Sequence, residues 1–181
     1  LSMSNIYRLI IFLQLFLLGC AQNVIDEYKV IQKIDSLNMN IFSKSGDKLY
    51  SISSPNSIYN NSELRFELEK PTINIYNGNE TKYIIKSDES ILSNNNNLLR
   101  LKGNVKLKIL EQVEDFLYAD NFIWNIKDDN YLLEGNIVFE NKNIILNSAK
   151  AKLNSDNIIE FFNPVKYTIK DDNNKNKYEI N

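Results

Sequence analysis

"LKGNV" at 101–105 and "LEGNI" at 133–137 are one phrase written twice, with the two glycines thirty-two positions apart in a chain that has only five. Counting sixteen residues back from Gly103 reaches Ser87 in "YIIKSDESIL"; the same step from Gly135 reaches Ala119 in "DFLYADNFIW". Both are small residues at the end of a strand-like run. The frame also fits Lys70 in "LEKPTI", with Ser54 sixteen before it, and Asn163 in "FFNPVKY", with Ser148-Ala149 nearby. Anchors at 70, 103, 135 and 163 are spaced 33, 32 and 28 apart, so the chain reads as four units of strand, small residue, polar turn, apolar strand and bend. A glycine inside an apolar strand marks a bulge or corner, where φ turns positive or a side chain would not fit. Pro71 and Pro164 stand at the bends of the other two units, where they interrupt the ladder by a different means.

Period-two alternation fills the space between the bends. It runs through Leu37/Met39/Ile41, Leu64/Phe66/Leu68, Ile73/Ile75, Leu99/Leu101, Val105/Leu107/Ile109, Ile137/Phe139 and Val165/Tyr167/Ile169, bounded by Asn, Asp, Gly, Ser or Pro. Asn77-Gly78 between two such runs is a strong hairpin signal. No convincing amphipathic helix occurs in 37–170. The expected fold is all-β, a jelly-roll-like stack of two facing antiparallel sheets over 37–170, followed by a polar tail at 171–181.

Composition excludes most chemistry. The chain has 181 residues, 43% hydrophobic and 24% charged, with a net charge of −2 and no basic stripe suited to nucleic acid. It has no histidine and one cysteine, which removes imidazole acid–base chemistry, Cys/His nucleophiles and ordinary zinc sites. Asp128-Asp129 and Asp171-Asp172 lie in polar, Asn-rich stretches that read as solvated turns. No catalytic residue, metal site or cofactor is expected, and no phosphate loop is present.

The single cysteine has an interpretable place. Residues 1–20, "LSMSNIYRLIIFLQLFLLGC", carry Arg8, then an apolar run from Leu9 to Leu18 interrupted by Gln14, then Gly19-Cys20. The run suits a signal-peptide core better than a bilayer span of about 30 Å. Leu17-Leu18-Gly19-Cys20 resembles the lipobox of bacterial lipoproteins, which implies diacylglyceryl attachment at Cys20. An ordinary signal peptide or an uncleaved anchor is the alternative. The stretch 21–36 follows as a tether, with a loose helical spacing at Val24, Tyr28, Ile31 and Ile34.

The run 46–109 resembles the LptC family of lipopolysaccharide-export proteins, followed by OstA/LptA-type repeats to about Ile169. Leu49-Tyr50, Pro71, the Tyr83–Ser87 strand and Leu101-x-Gly103-Asn104-Val105 carry the likeness. Familiar members begin with a transmembrane helix, where this chain offers a lipobox. The resemblance implies a periplasmic, membrane-anchored protein that takes lipopolysaccharide from an inner-membrane ABC transporter permease. It implies delivery to a periplasmic LptA/OstA-like jelly-roll protein, with strand addition at the C-terminal end.

An acyl chain of a dozen carbons exposes roughly 10 kcal/mol of apolar surface to water, so a carrier needs an apolar groove. Leu99, Leu101, Val105, Leu107, Tyr131, Leu133, Ile137, Phe139, Phe161 and Tyr167 are the candidate lining. Any β-sandwich needs an inward apolar face, so the same residues also suit a closed scaffold lipoprotein. A glycan-directed enzyme is disfavoured, because no acid is set within an apolar strand that could tune it.

Overall fold

Among the described residues the alternating pattern folds into twelve strands. The computed structural model describes residues 31–93, 97–110, 114–127, 130–154, 156–170 and 179–180. The expected signal segment with Cys20, and 21–30 of the expected tether, lie outside these residues. The rest of that tether is strand, because β1 (Ile31–Phe42) starts six residues before Leu37. The reason is the length of β2 (Lys48–Asn60), which offers ladder partners as far as Ile31↔Asn60. A short isolated helix is marginal in water and yields to such pairing.

The remaining strands are β3 (Arg65–Glu69), β4 (Thr72–Asn77), β5 (Glu80–Lys86), β6 (Glu89–Ser93), β7 (Leu98–Leu110), β8 (Glu114–Asn125), β9 (Asn130–Glu140), β10 (Ile144–Asn154), β11 (Ile159–Ile169) and β12 (Glu179–Ile180). Asn77 pairs with Glu80, so the expected hairpin turns on Gly78-Asn79. Of the expected polar tail, Glu179 and Ile180 add to β11 opposite Thr168 and Tyr167.

Long strands serve two layers. The first part of β2 pairs with β4 (Tyr50↔Ile75), and its second part pairs with β3 (Ser57↔Leu68). Likewise β7 pairs with β6 from Leu98 to Lys102, then with β5 from Lys106 to Ile109. The first layer therefore holds β4 and β5, the second holds β3 and β6, and the long strands run through both. This is a jelly roll of two facing antiparallel sheets.

The corners between the layers fall on one seam. Register breaks between Lys102 and Val105, between Tyr118 and Asn121, and between Ser148 and Lys150. The bypassed positions are Gly103-Asn104, Ala119-Asp120 and Ala149. Short strands end at the same seam, at Lys70-Pro71 and Ser87-Asp88. Pro55 also sits there, between the two halves of β2.

Two consecutive left-handed residues make the Gly-Asn corner: φ is 75° at Gly103 and 45° at Asn104, and 77° and 46° at Gly135 and Asn136. Asparagine adopts this conformation more readily than most residues. The glycine is required for a second reason. A Cβ on Gly103 would stand 2.6 Å from Asp88 Oδ2, and one on Gly135 would stand 2.5 Å from Asp120 Oδ2. Serine hydroxyls satisfy carbonyls freed by the bends: Ser54 donates to the carbonyls of Asn56 and Glu69, Ser87 to Glu89, and Ser148 to Lys150 and Phe162. The seam is further tied by Lys70 N–H to the Asp88 carbonyl at 2.7 Å and Asp88 N–H to the Gly103 carbonyl at 2.9 Å.

Candidate functional site

Among the described residues, the buried apolar side chains of both layers meet in one cluster between them, so this interior is the candidate site. Eight of the ten candidate residues meet there. Leu99, Leu101, Val105, Leu107, Tyr131, Leu133, Ile137 and Phe139 are buried in one core, with Phe139 the most exposed at 7%. They pack side chain to side chain, so this part of the interior is filled. Phe161 is half-buried against the same core, with its ring 5.9 Å from that of Phe139.

Tyr167 differs. It faces the same interior, yet it is 36% exposed, as are its same-face neighbours Val165 at 38% and Ile169 at 47%. Their ladder partners Leu146, Ser148 and Ile144 point inward, and β11 is the last long strand of the stack. Among the described residues, only the two-residue β12 pairs with its far side. The interior is thus capped at β1, where Leu37, Met39 and Ile41 pack on the core, and open at β11.

Opposite the corner seam the layers are joined by side chains. Tyr50 and Trp124 meet edge to face at 5.1 Å, Trp124 lies 5.5 Å from Tyr131, and Tyr131 meets Tyr83 edge to face at 5.6 Å. The Tyr83 hydroxyl also donates to Asn157 Oδ1, on the loop between β10 and β11, and to the carbonyl of Asn154 at the end of β10. These aromatics border a cavity of about 280 Å³ that reaches Leu49 and Ile126. Burial raises the Tyr50 phenol above its ordinary value.

Of the aromatic clasp, Tyr131 is among the candidate residues, whereas Tyr50, Tyr83 and Trp124 are not. Its members carry the same alternation, but period two states which face a residue takes and says nothing about which strand from the other layer it meets.

Residues 9–168 match the family described as "Lipopolysaccharide-assembly, LptC-related". The chain belongs to the LptC-related family. Membership places it in lipopolysaccharide assembly. Among solved structures it is similar to LptH from Pseudomonas aeruginosa, described as the LptA homologous periplasmic component of the lipopolysaccharide transport device. That likeness covers 62% of this chain and 80% of LptH at a TM-score of 0.51 and 6% identity, so it speaks for a shared fold. No curated protein sequence matches the chain. For an LptC-related jelly roll, the relevant geometry is an apolar interior closed at one end by β1, open at the other along β11, and clasped by aromatics on the side away from the seam.

Proposed function

We propose that the protein shields the acyl chains of lipopolysaccharide between its two layers. It receives them from an inner-membrane ABC transporter and passes them along β11 to a periplasmic jelly-roll partner. The observation that carries this reading is the run of inward-facing yet exposed Val165, Tyr167 and Ile169 at the open edge. A sandwich that had only to be stable would cover them, since each fully buried side chain of this size contributes about 1.5–3 kcal/mol. An edge strand that, among the described residues, is paired on its far side only by the two-residue β12, and that has an apolar inner face, is suited to continue into a second sheet. The N-terminal segment would hold the protein to the periplasmic side of a membrane, with Cys20 as the acylated residue.

For cargo to enter, the filled core must part. Among the described residues, backbone hydrogen bonds join the layers along the seam and the long strands, whereas the opposite side is held by side chains. The layers can therefore swing about the seam at the cost of side-chain contacts alone. Photo-crosslinking residues placed in cells at Leu101, Phe139 and Tyr167, with outward-facing Glu160 as control, test the reading. Lipopolysaccharide adducts at the three inward positions and not at Glu160, dependent on ATP, are expected.

The packed core favours a second reading, an envelope scaffold with a permanently closed sandwich. It predicts a folded, membrane-bound protein that captures no lipid at any of the four positions.

A further inference from the structure

We propose that the outer face of the first layer rests on an anionic membrane surface. The chain's net charge is −2, yet this face is basic. Lys86 and Lys106 are exposed and stand directly opposite each other in the ladder between β5 and β7. Like charges in that position weaken a sheet, so they are retained against a cost in stability. Among the described residues neither is drawn into an ion pair.

Their cross-strand row continues through Thr72, Tyr118, Val138 and Asn147 without an acid. The neighbouring row holds Asn74, Ile84, Lys108, Phe116 and Glu140, and the one carboxylate in it is taken by Lys170 at 2.7 Å. On the second layer the outer face is mixed, with Glu67, Glu89 and Glu134 set among Arg100, Lys102 and Lys150. The acids of the second layer offset its basic residues, whereas on the first layer the basic residues are in excess.

Aromatic rings lie between the lysines. Lys106 Nζ is 4.6 Å from the centre of the Phe116 ring and 5.5 Å from that of Tyr118, and Lys48 Nζ is 4.4 Å from that of Tyr76. Ammonium groups on flexible stems beside half-buried rings, spread over a sheet face, suit the headgroup region of a bilayer. Cys20 stands eleven residues before Ile31, a reach of at most about 40 Å, so a membrane anchored at Cys20 keeps this face within touch. The inference concerns the outside of the stack and does not depend on what the interior carries.

The test uses the full chain in vesicles. A photo-crosslinking residue replaces Asn147 on the basic face or, in a separate protein, Ile91 on the outer face of the second layer. Phosphatidylglycerol-rich vesicles are expected to give lipid adducts at Asn147, few at Ile91, and none at either position in high salt. Replacing Lys86→Gln and Lys106→Gln together should lower capture at Asn147 by roughly twenty-five-fold, at about fivefold per lysine. Both side chains are exposed, so circular dichroism should show the fold intact. Equal capture at the two positions, equal capture from phosphatidylcholine vesicles, or no capture at Asn147 would overturn the proposal. The last result is the one an acidic protein partner on this face would produce.

Discussion

The side-chain amide of Asn104 donates to the carboxylate of Asp88 at 2.7 Å across a corner of the stack, sixteen residues away in the chain, and Asn136 repeats the bond to Asp120 at 2.8 Å over the same separation. The aspartate fills the space a side chain would need at the glycine, and the asparagine fixes the aspartate. Gly103→Ala and Gly135→Ala are therefore expected to destabilise the protein by about 2–4 kcal/mol each, combining left-handed strain of roughly 1–2 kcal/mol with the steric clash. Adding Asp88→Ala to Gly103→Ala should recover part of the loss, because it removes the clashing oxygen and leaves the strain. Urea unfolding of the single and double variants measures the coupling. Strict additivity would show that the aspartate is a bystander.

This corner explains how far the sequence could be read. The sixteen-residue step from Ser87 to Gly103 is one hairpin, β6–β7, that leaves the seam through the second layer and returns to it, so a repeat visible in letters marks the bend positions, the all-β class and the two-layer stack. Pro71 stands between β3 and β4, where the ladder ends, Pro164 lies in the stretch of β11 that the ladder to β10 skips, and Pro55 belongs to the same set although its place in β2 shows only in the pairing. What stayed illegible is long-range. Nothing local to Tyr167 distinguishes it from Tyr131, since both alternate inward; one is covered because strands follow it on both sides, the other is exposed because the stack stops. The start of β1 was hidden for a related reason, as its pairing depends on the length of β2 and not on its own residues.

Two serines in the interior make a contrasting pair with those of the corners. Ser57 and Ser90 are buried, flank Leu68 on the inner face, and their hydroxyls lack a hydrogen-bond partner among the described residues. An unsatisfied buried hydroxyl is unfavourable, so Ser57→Ala and Ser90→Ala should leave stability unchanged or raise it by up to about 1 kcal/mol. Ser54→Ala removes a donor from two carbonyls and should cost about 1–3 kcal/mol. Chemical denaturation of the three variants checks the order. A loss at Ser57→Ala comparable to that at Ser54→Ala would mean that its hydroxyl has a partner in solution.

Stability should fall in alkali through Tyr50. Burial raises its phenol pKa above the ordinary value, so the folded state holds its proton more tightly than the unfolded state. The associated stability is fully present below pH 10 and is lost as pH rises through the higher folded value. Thermal melts taken upward from pH 9 should therefore decline more steeply for the wild type than for Tyr50→Phe, which keeps the ring against Trp124 without an ionisable group. Parallel declines would assign the alkaline loss to other groups.

The last expectation concerns where the stack opens. Tyr83 is the side chain that bonds β5 of the first layer to the end of β10 and the β10–β11 loop, through Asn154 and Asn157. Tyr83→Phe keeps the ring beside Tyr131 and deletes those bonds, loosening the clasp by about 0.5–1.5 kcal/mol. If the seam is the hinge, amide hydrogen exchange should quicken along β5 and in 154–158, while the amides of Lys70 and Asp88, which bond across the corners, stay protected. A looser clasp should also raise lipopolysaccharide capture at Leu101, because parting the layers is then less costly. Faster exchange at Lys70 and Asp88 instead would place the weak side at the corners, and the layers would have to separate by breaking the seam.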